Sequence, residues 1–255
     1  DRDRERDRDR NNDRHGEQRY DRRGRDDRQQ HRRQGMRYPD KWIDFDPVGK
    51  EMSGTRFVAF KCPLDEKFFA EDVHQDEYFD IHTIVQYARD AKRRIGCVFD
   101  LTNTDKYYNY RDWYHYDVEY HKIRCPGHEV NTREDIVEKF NDKVDDFLRR
   151  NPSNDLCIGV HCTHGINRTG YLICRYLVDR QGWAADQAIS VFEECRGHEI
   201  HRPHYKATLR EAEERLKRDG RPPGFVTPAV VMTPPEEKDE APEESPSAEQ
   251  VPPPP

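Results

Sequence analysis

Apolar positions in the middle of the chain follow two alternating rhythms. Short runs rich in branched and aromatic residues occupy 56–60 (RFVAF), 95–101 (IGCVFDL), 117–123 and 156–161 (LCIGVH), and each reads as a strand. Between them lie helical stripes. Ile81, Ile84, Val85 and Ala88 share one face at the i, i+3, i+4, i+7 spacing, and Ile136, Phe140, Val144 and Phe147 form a second such face. Asn131, with Glu134 three residues later, reads as the cap that opens the second helix. Ala185, Ile189 and Phe192 mark a further helix stopped by Gly197, and Tyr205, Leu209, Ala212 and Leu216 a last one between Pro203 and Gly220. Strands alternating with helices of this length predict an α/β domain: a central, mostly parallel twisted sheet with helices on both faces. In such sheets ligands bind off the carboxyl ends of the strands, which directs attention to the residues after 156–161.

The two ends follow neither rhythm. Residues 1–35 hold 13 Lys and Arg, 10 Asp and Glu and one apolar residue, Tyr20, while residues 221–255 hold 11 of the 17 prolines and seven acidic residues. Neither can bury enough apolar surface to offset its ordering entropy, so both are expected to be disordered. The Arg/Asp-rich arm reads as a solvated tail or as a weak electrostatic arm for RNA or mixed-charge nuclear proteins, and the Pro/Glu-rich tail as a spacer. One globular domain is expected over residues 36–220, where 29 basic residues face 34 acidic ones. No stretch approaches the roughly 20 apolar residues of a membrane span. Seven cysteines without a regular framework read as reduced thiols, and the chain is expected to be a soluble intracellular monomer with no membrane partner.

The chemistry lies in the ten residues His161, Cys162, Thr163, His164, Gly165, Ile166, Asn167, Arg168, Thr169 and Gly170, followed by the helical run YLICRYLVDR. A cysteine at the end of an apolar strand, with an arginine opening the next helix, predicts a phosphate loop at a strand-to-helix junction. The backbone from Thr163 to Arg168 must curl so that its N–H groups converge on one point at the helix N-terminus. Gly165 permits the tight turn. Arg168 offers a planar fork for two phosphoryl oxygens, and together with the amides it should pull the Cys162 thiol well below its free value of about 8.5. A thiolate facing a bound phosphate is a nucleophile for phosphoryl transfer. Cys62, Cys97, Cys125, Cys157, Cys174 and Cys195 lack this setting and read as packed small hydrophobes.

The Cys162-to-Arg168 signature resembles that of the cysteine-dependent protein tyrosine and dual-specificity phosphatase superfamily. The longer string HCTHGINRTGYLICRYL is similar to its RNA 5′-triphosphatase branch, which includes the RNA/RNP complex-interacting phosphatases and the triphosphatase domain of metazoan mRNA capping enzymes. The likeness continues in residues 39–64, in VFDLTNTDKYY, in CPGHEV and in RGHEIHRPHY, so it covers roughly residues 38–216; the last of these is closer to the RNA/RNP complex-interacting phosphatases. The resemblance implies the cysteine-phosphatase fold. It further implies metal-independent, cofactor-free removal of the γ and β phosphates from 5′-triphosphate or 5′-diphosphate RNA, in the nucleus, with nuclear ribonucleoprotein components as possible partners. It implies that His161 orients and acidifies Cys162, that Thr169 hydrogen-bonds the sulfur, and that Arg202 approaches the phosphates.

Protein-phosphatase relatives carry an aspartic acid as general acid on a loop preceding the nucleophile. Here that region reads Cys125, Pro126, Gly127, His128, Glu129, Val130, Asn131, with no aspartate before Asp135. A tyrosine leaving group, with a pKa near ~10, needs a proton to depart, whereas a leaving phosphate with a pKa nearer ~6 departs as an anion. The pattern favours a polyphosphate substrate, with Glu129 or His128 as remaining proton donors and a dual-specificity protein phosphatase as the alternative activity. Asp100 should reach the same rim, to position water or a proton or else to cap the loop that follows it. Lys106, Arg111, Lys122, Arg124, Arg133, Arg196 and Lys206 are candidates for a basic entrance, and Tyr107, Tyr108, Tyr110 and Trp113 either stack a base or belong to the core. His198, His201 and His204 lack the companions of a metal site, Asn167 to Thr169 is a sequon in the wrong place, and Lys217 to Gly220 imitates a nucleotidyl-transfer motif where a helix should end.

Overall fold

The structure, a computed structural model, describes residues 37–69 and 78–220. The arm and tail expected to be disordered lie outside the described residues. Within them, five strands form one sheet: β1 (Val48–Glu51), β2 (Phe57–Phe60), β3 (Ile95–Asp100), β4 (Glu119–Lys122) and β5 (Cys157–His161), in the order β1-β2-β5-β3-β4. All neighbours are parallel except β1, which pairs antiparallel with β2 at one edge. β3 and β5 are buried along their whole length, which is why they read in the sequence as unbroken apolar runs rather than alternating ones.

Five helices cover the sheet: α1 (Ile81–Asp90), α2 (Glu134–Arg150), α3 (Asn167–Gln181), α4 (Ala185–Arg196) and α5 (Pro203–Asp219). The two faces are covered unequally. Phe57, Phe99 and Val160 meet Phe140, Ile173, Leu177, Phe192 and Leu209 of the four later helices in the larger core. The opposite face packs Phe60 and Val98 against Ile84 and Val85 of α1, with Trp42 and Trp113 from 3₁₀ turns. Asp80 caps α1 by accepting from the Thr83 amide at 2.8 Å. α3 is the central helix, buried continuously from Thr169 to Asp179. Arg175 of α3 is buried too, and it is neutralised by Asp179 at 2.8 Å and by Glu134 of α2 at 2.8 Å.

Two sequence expectations change here. Asn131 does not cap α2: it lies in a 3₁₀ turn, Val130–Thr132, and its side chain instead donates to Thr208 of α5, so that turn ties two helices together. The strand expected over 117–123 shortens to β4 because a seven-residue 3₁₀ helix, Tyr110–Tyr116, runs into it through a left-handed Asp117. Lys217 to Asp219 are the last turn of α5, and Gly220 is its cap.

Register sets the site. Asp100 of β3 stands opposite both His161 of β5 and Lys122 of β4, and Phe60 of β2 stands opposite His161, so the carboxyl ends of four strands meet around the residue preceding Cys162. Phe140 fills the core below, fully buried with its ring 4.9 Å from that of Phe99. Phe140→Ala should destabilise the fold by about 3–5 kcal/mol, read as a lower urea midpoint with an unchanged denaturant slope.

Candidate active site

β5 ends at His161, and α3 begins at Asn167, leaving five residues to turn the chain. Gly165 makes the turn at φ 68°, and a Cβ there would lie 2.1 Å from the Phe60 carbonyl oxygen, so only glycine fits. Each carbonyl of the turn is tied to a group behind it. Thr163 O accepts from the Cys62 amide at 3.0 Å, and His164 O and Gly165 O accept from the Arg196 guanidinium at 3.0 and 3.1 Å. Because a peptide's C=O and the following N–H point opposite ways, pinning these carbonyls backward turns the amides of His164, Gly165 and Ile166 toward the concave side. Ile166, at the N-cap of α3, offers no side-chain cap, so the first amides of that helix also remain for a ligand.

Cys162 sits in this bowl with 3% of its surface exposed. Burial pushes its thiol up. The Arg168 charge, the Thr169 hydroxyl and amide and the Ile166 amide outweigh burial and lower the thiol from 9.0 to about 7. The Thr169 hydroxyl is buried and has no other partner among the described residues, and it is one of the groups that lower the thiol. Burial raises the other six thiols, Cys62 and Cys97 strongly and Cys125 to about 12.

The Arg168 fork is held by neutral acceptors: Nη1 donates to Leu101 O at 3.2 Å and Cys125 O at 3.0 Å, and Nη2 to Thr163 Oγ1 at 3.1 Å. Among the described residues no carboxylate pairs with it, so its full charge is available to an anion. His161 is fully buried, and burial holds its ring neutral. With its proton on Nδ1 it donates to the Cys162 carbonyl at 3.2 Å and accepts the Tyr108 hydroxyl on Nε2 at 2.8 Å. Its geometry therefore orients the Cys162 backbone, while the acidifying charge comes from Arg168 and not from this imidazole.

Asp100 is a buried anchor. It accepts from the Thr102 amide and hydroxyl, the Tyr120 hydroxyl and Lys122 Nζ at 2.7–2.9 Å, and the Tyr108 hydroxyl, whose proton goes to His161, lies 3.1 Å away. Burial pushes its carboxyl up, but His161, Lys122 and the hydrogen bonds hold it down at about 2. Of its two expected roles the loop-capping one matches these contacts, and a carboxylate so engaged is no proton donor. Arg202, the N-cap of α5, reaches His128 Nδ1 at 2.5 Å and lies 5.7 Å from the Tyr205 ring, with its Nε buried and unpartnered among the described residues. Burial raises the Tyr205 hydroxyl, and the Arg202 and Arg168 charges act against it. His164 turns its ring away, onto the Asp40 carbonyl at 2.7 Å and the Phe45 ring, so only its amide faces the bowl. Ile166 is buried, and Asn167 carries a buried Oδ1 without a partner.

The basic entrance expected from seven cations is largely neutralised. Lys122 bonds Asp100, Arg124 pairs with Asp105, Arg133 with Asp135 and Lys206 with Glu193. Arg196 lies beneath the loop, 2% exposed, where burial draws it down to about 10. Sequence spacing carried a signal for that brace: Arg196 follows Ile189 and Phe192 on the buried face of α4. Tyr108, the partner of His161, has no comparable signature. Of the three expected stray histidines, His198 pairs with Asp46, His201 lies by Phe45 and His204 against Tyr205.

Residues 78–215 match the family model for the dual specificity phosphatase catalytic domain. The chain belongs to the dual-specificity phosphatase family. Among curated relatives it is 49% identical over 184 residues to the RNA/RNP complex-1-interacting phosphatase homolog of Caenorhabditis elegans, covering 72% of this chain and 79% of the relative. It is 46% identical over 171 residues to the Homo sapiens RNA/RNP complex-1-interacting phosphatase, covering 67% of this chain but only 51% of that protein. It is also 38% identical over 172 residues to the tyrosine-protein phosphatase of Autographa californica nuclear polyhedrosis virus, covering 68% of this chain and 98% of the relative. The mixed sheet with a phosphate loop at the β5–α3 junction is the dual-specificity phosphatase fold.

At pH 7 the folded phosphatase should take up one iodoacetamide per chain, on Cys162, while its six other thiols stay protected. The alkylation rate should rise with pH through a midpoint of about 7, the direction expected when thiolate is the reactive form, as mass spectrometry of the alkylated peptides will show. Arg168→Ala should move that midpoint upward.

Proposed function

We propose that the chain is an RNA 5′-polyphosphatase that removes the γ and β phosphates of 5′-triphosphate RNA without metal, through a phosphocysteine. The Cys162 thiolate attacks the terminal phosphorus, and the P–O bond to the departing diphosphate end breaks as the S–P bond forms. The amides of Thr163 to Arg168 and the Arg168 fork receive the three equatorial oxygens, and the Thr169 hydroxyl stabilises the sulfur when water later releases phosphate. A second round removes the β phosphate.

The observation that carries the substrate class is that, among the described residues, no aspartic acid is free to protonate a leaving group above the bowl. Asp100 is fully engaged, Asp135 is bonded to Arg133 at 2.7 Å, and His128 is occupied by Arg202. Exposed Glu129 is the one remaining carboxylate in the stretch from Cys125 to Asn131. A phosphoanhydride tolerates this because its leaving group departs as an anion, whereas a phosphotyrosine does not. The names of the nematode and human relatives, RNA/RNP complex-1-interacting phosphatases, support an RNA-linked substrate and ribonucleoprotein partners, and we propose a nuclear site of action. The viral relative's name favours a second reading, a dual-specificity protein phosphatase.

Comparing kcat/KM for a short 5′-triphosphate RNA and a phosphotyrosine peptide, in chelator, separates the two. The account expects the RNA to be preferred by at least a hundredfold and Glu129→Gln to leave its turnover unchanged. Preference for the peptide, abolished by Glu129→Gln, would establish the second reading. Cys162→Ser should lose turnover by several orders of magnitude while still binding the RNA.

A further inference from the structure

Beside the bowl, between the β3 end and the Tyr110–Tyr116 3₁₀ helix, a cavity of about 300 Å³ opens to solvent. Asp100 and Thr102 form its inner wall, and the carbonyl of Leu101 between them accepts from Arg168 at 3.2 Å, so cavity and bowl share one loop. Tyr107 stands at the junction, lining the cavity while its hydroxyl feels Thr163 and Arg168 of the bowl.

The outer wall is aromatic. Tyr110, 39% exposed, stacks on Tyr120 with centroids 5.0 Å apart at 20°, and Tyr114, 55% exposed, meets Tyr110 edge-on at 6.2 Å. Two exposed cations flank these rings: Lys106 lies 5.2 Å from the Tyr107 centroid and Arg111 5.9 Å from that of Tyr110. Neither pairs with a carboxylate among the described residues, unlike Lys122 and Arg124 nearby. The loop is held in place from outside: the Asp65 amide donates to Tyr107 O at 2.8 Å, and Asp65 Oδ1 accepts from the Asn109 amide at 3.1 Å.

Charge sorts what can occupy this place. Asp65, Asp100 and Asp105 line the cavity, each paired with a cation, Lys67, Lys122 and Arg124 respectively, so the wall carries little net charge and offers carboxylate acceptors to a neutral planar ring with hydrogen-bond donors. Unpaired cations at the rim suit the phosphodiester backbone of the same ligand. Aromatic faces interleaved with free basic side chains are the pattern by which single strands are held.

We propose that the Tyr107–Tyr110–Tyr120 cavity, with Lys106 and Arg111, binds an unpaired nucleobase and the adjoining backbone near the 5′ end of a single-stranded RNA whose terminal phosphates occupy the bowl. This rests on the RNA reading of the substrate and extends it: the enzyme selects an unpaired 5′ end, because a base in a duplex must first unpair and unstack to enter.

The test measures binding apart from catalysis. A fluorescent single-stranded tetraribonucleotide bearing a 5′-hydroxyl, followed by anisotropy, should bind the wild-type protein and lose at least about fivefold in affinity with Tyr110→Ala, the scale of one stacked base. Tyr110→Trp should restore it, and Lys106→Ala with Arg111→Ala should weaken it and flatten its salt dependence. Turnover of p-nitrophenyl phosphate, which reaches only the bowl, should be unchanged in all three variants. Binding that is absent, or indifferent to Tyr110, Lys106 and Arg111, overturns the inference. Binding that follows these residues while 5′-triphosphate RNA is not hydrolysed sustains the cavity and overturns the proposed activity instead.

Discussion

Everything at this site depends on a backbone whose carbonyls are bonded behind it. Three successive peptide oxygens, those of Thr163, His164 and Gly165, are satisfied by the Cys62 amide and the Arg196 guanidinium. Their amides are thereby committed to the opposite side without a ligand to draw them there. Such preorganisation matters because dipoles already aligned need no reorganisation when charge develops on the phosphoryl group. Burying an arginine is costly, and this one is compensated by carbonyl oxygens, a third of them from Asp46 at 2.7 Å. The loop's tightness follows from the same packing, since Gly165 presses directly on Phe60 of the neighbouring strand.

The second constraint is a division of charge across the sheet's carboxyl end. Asp100 gathers Lys122, the Tyr120 hydroxyl and Thr102, and Tyr108 beside it steadies His161. That network absorbs the negative charge near the site, and Arg168, bonded only to neutral oxygens, is left as the cation facing Cys162. The thiol consequently falls to about 7 even though burial pushes it up. Among the described residues no aspartic acid is placed to protonate a poor leaving group, which supports the proposed substrate, whose leaving group departs unprotonated.

The parts legible in the sequence were those written in local pattern. β3 and β5 announced themselves as unbroken apolar runs, α2 and α5 as stripes, and the phosphate loop as a cysteine and an arginine bracketing a glycine. The parts that were not legible depend on contacts between distant segments. Asn131 looked like a helix cap because its spacing to Glu134 is right, yet it is drawn to Thr208, 77 residues away. Lys122, Arg124, Arg133 and Lys206 looked like an open basic surface because composition does not say which carboxylate each will meet. Arg196 looked like one more surface cation, although its place on the apolar face of α4 marked it as buried. Edge strand β1, short and half-exposed, carries too little apolar pattern to be seen.

The most direct test of the account is the affinity of orthovanadate, a mimic of the five-coordinate phosphorus, for the wild type and for Arg196→Lys, measured by titration calorimetry with circular dichroism confirming that both are folded. Lysine keeps the positive charge beneath the loop but cannot fork between two carbonyls. The account predicts at least tenfold weaker binding in the variant, because the carbonyls are no longer pinned and the amides lose their common aim. Equal affinity in the two proteins would contradict it and would mean that the loop takes its shape from the anion rather than from the brace behind it.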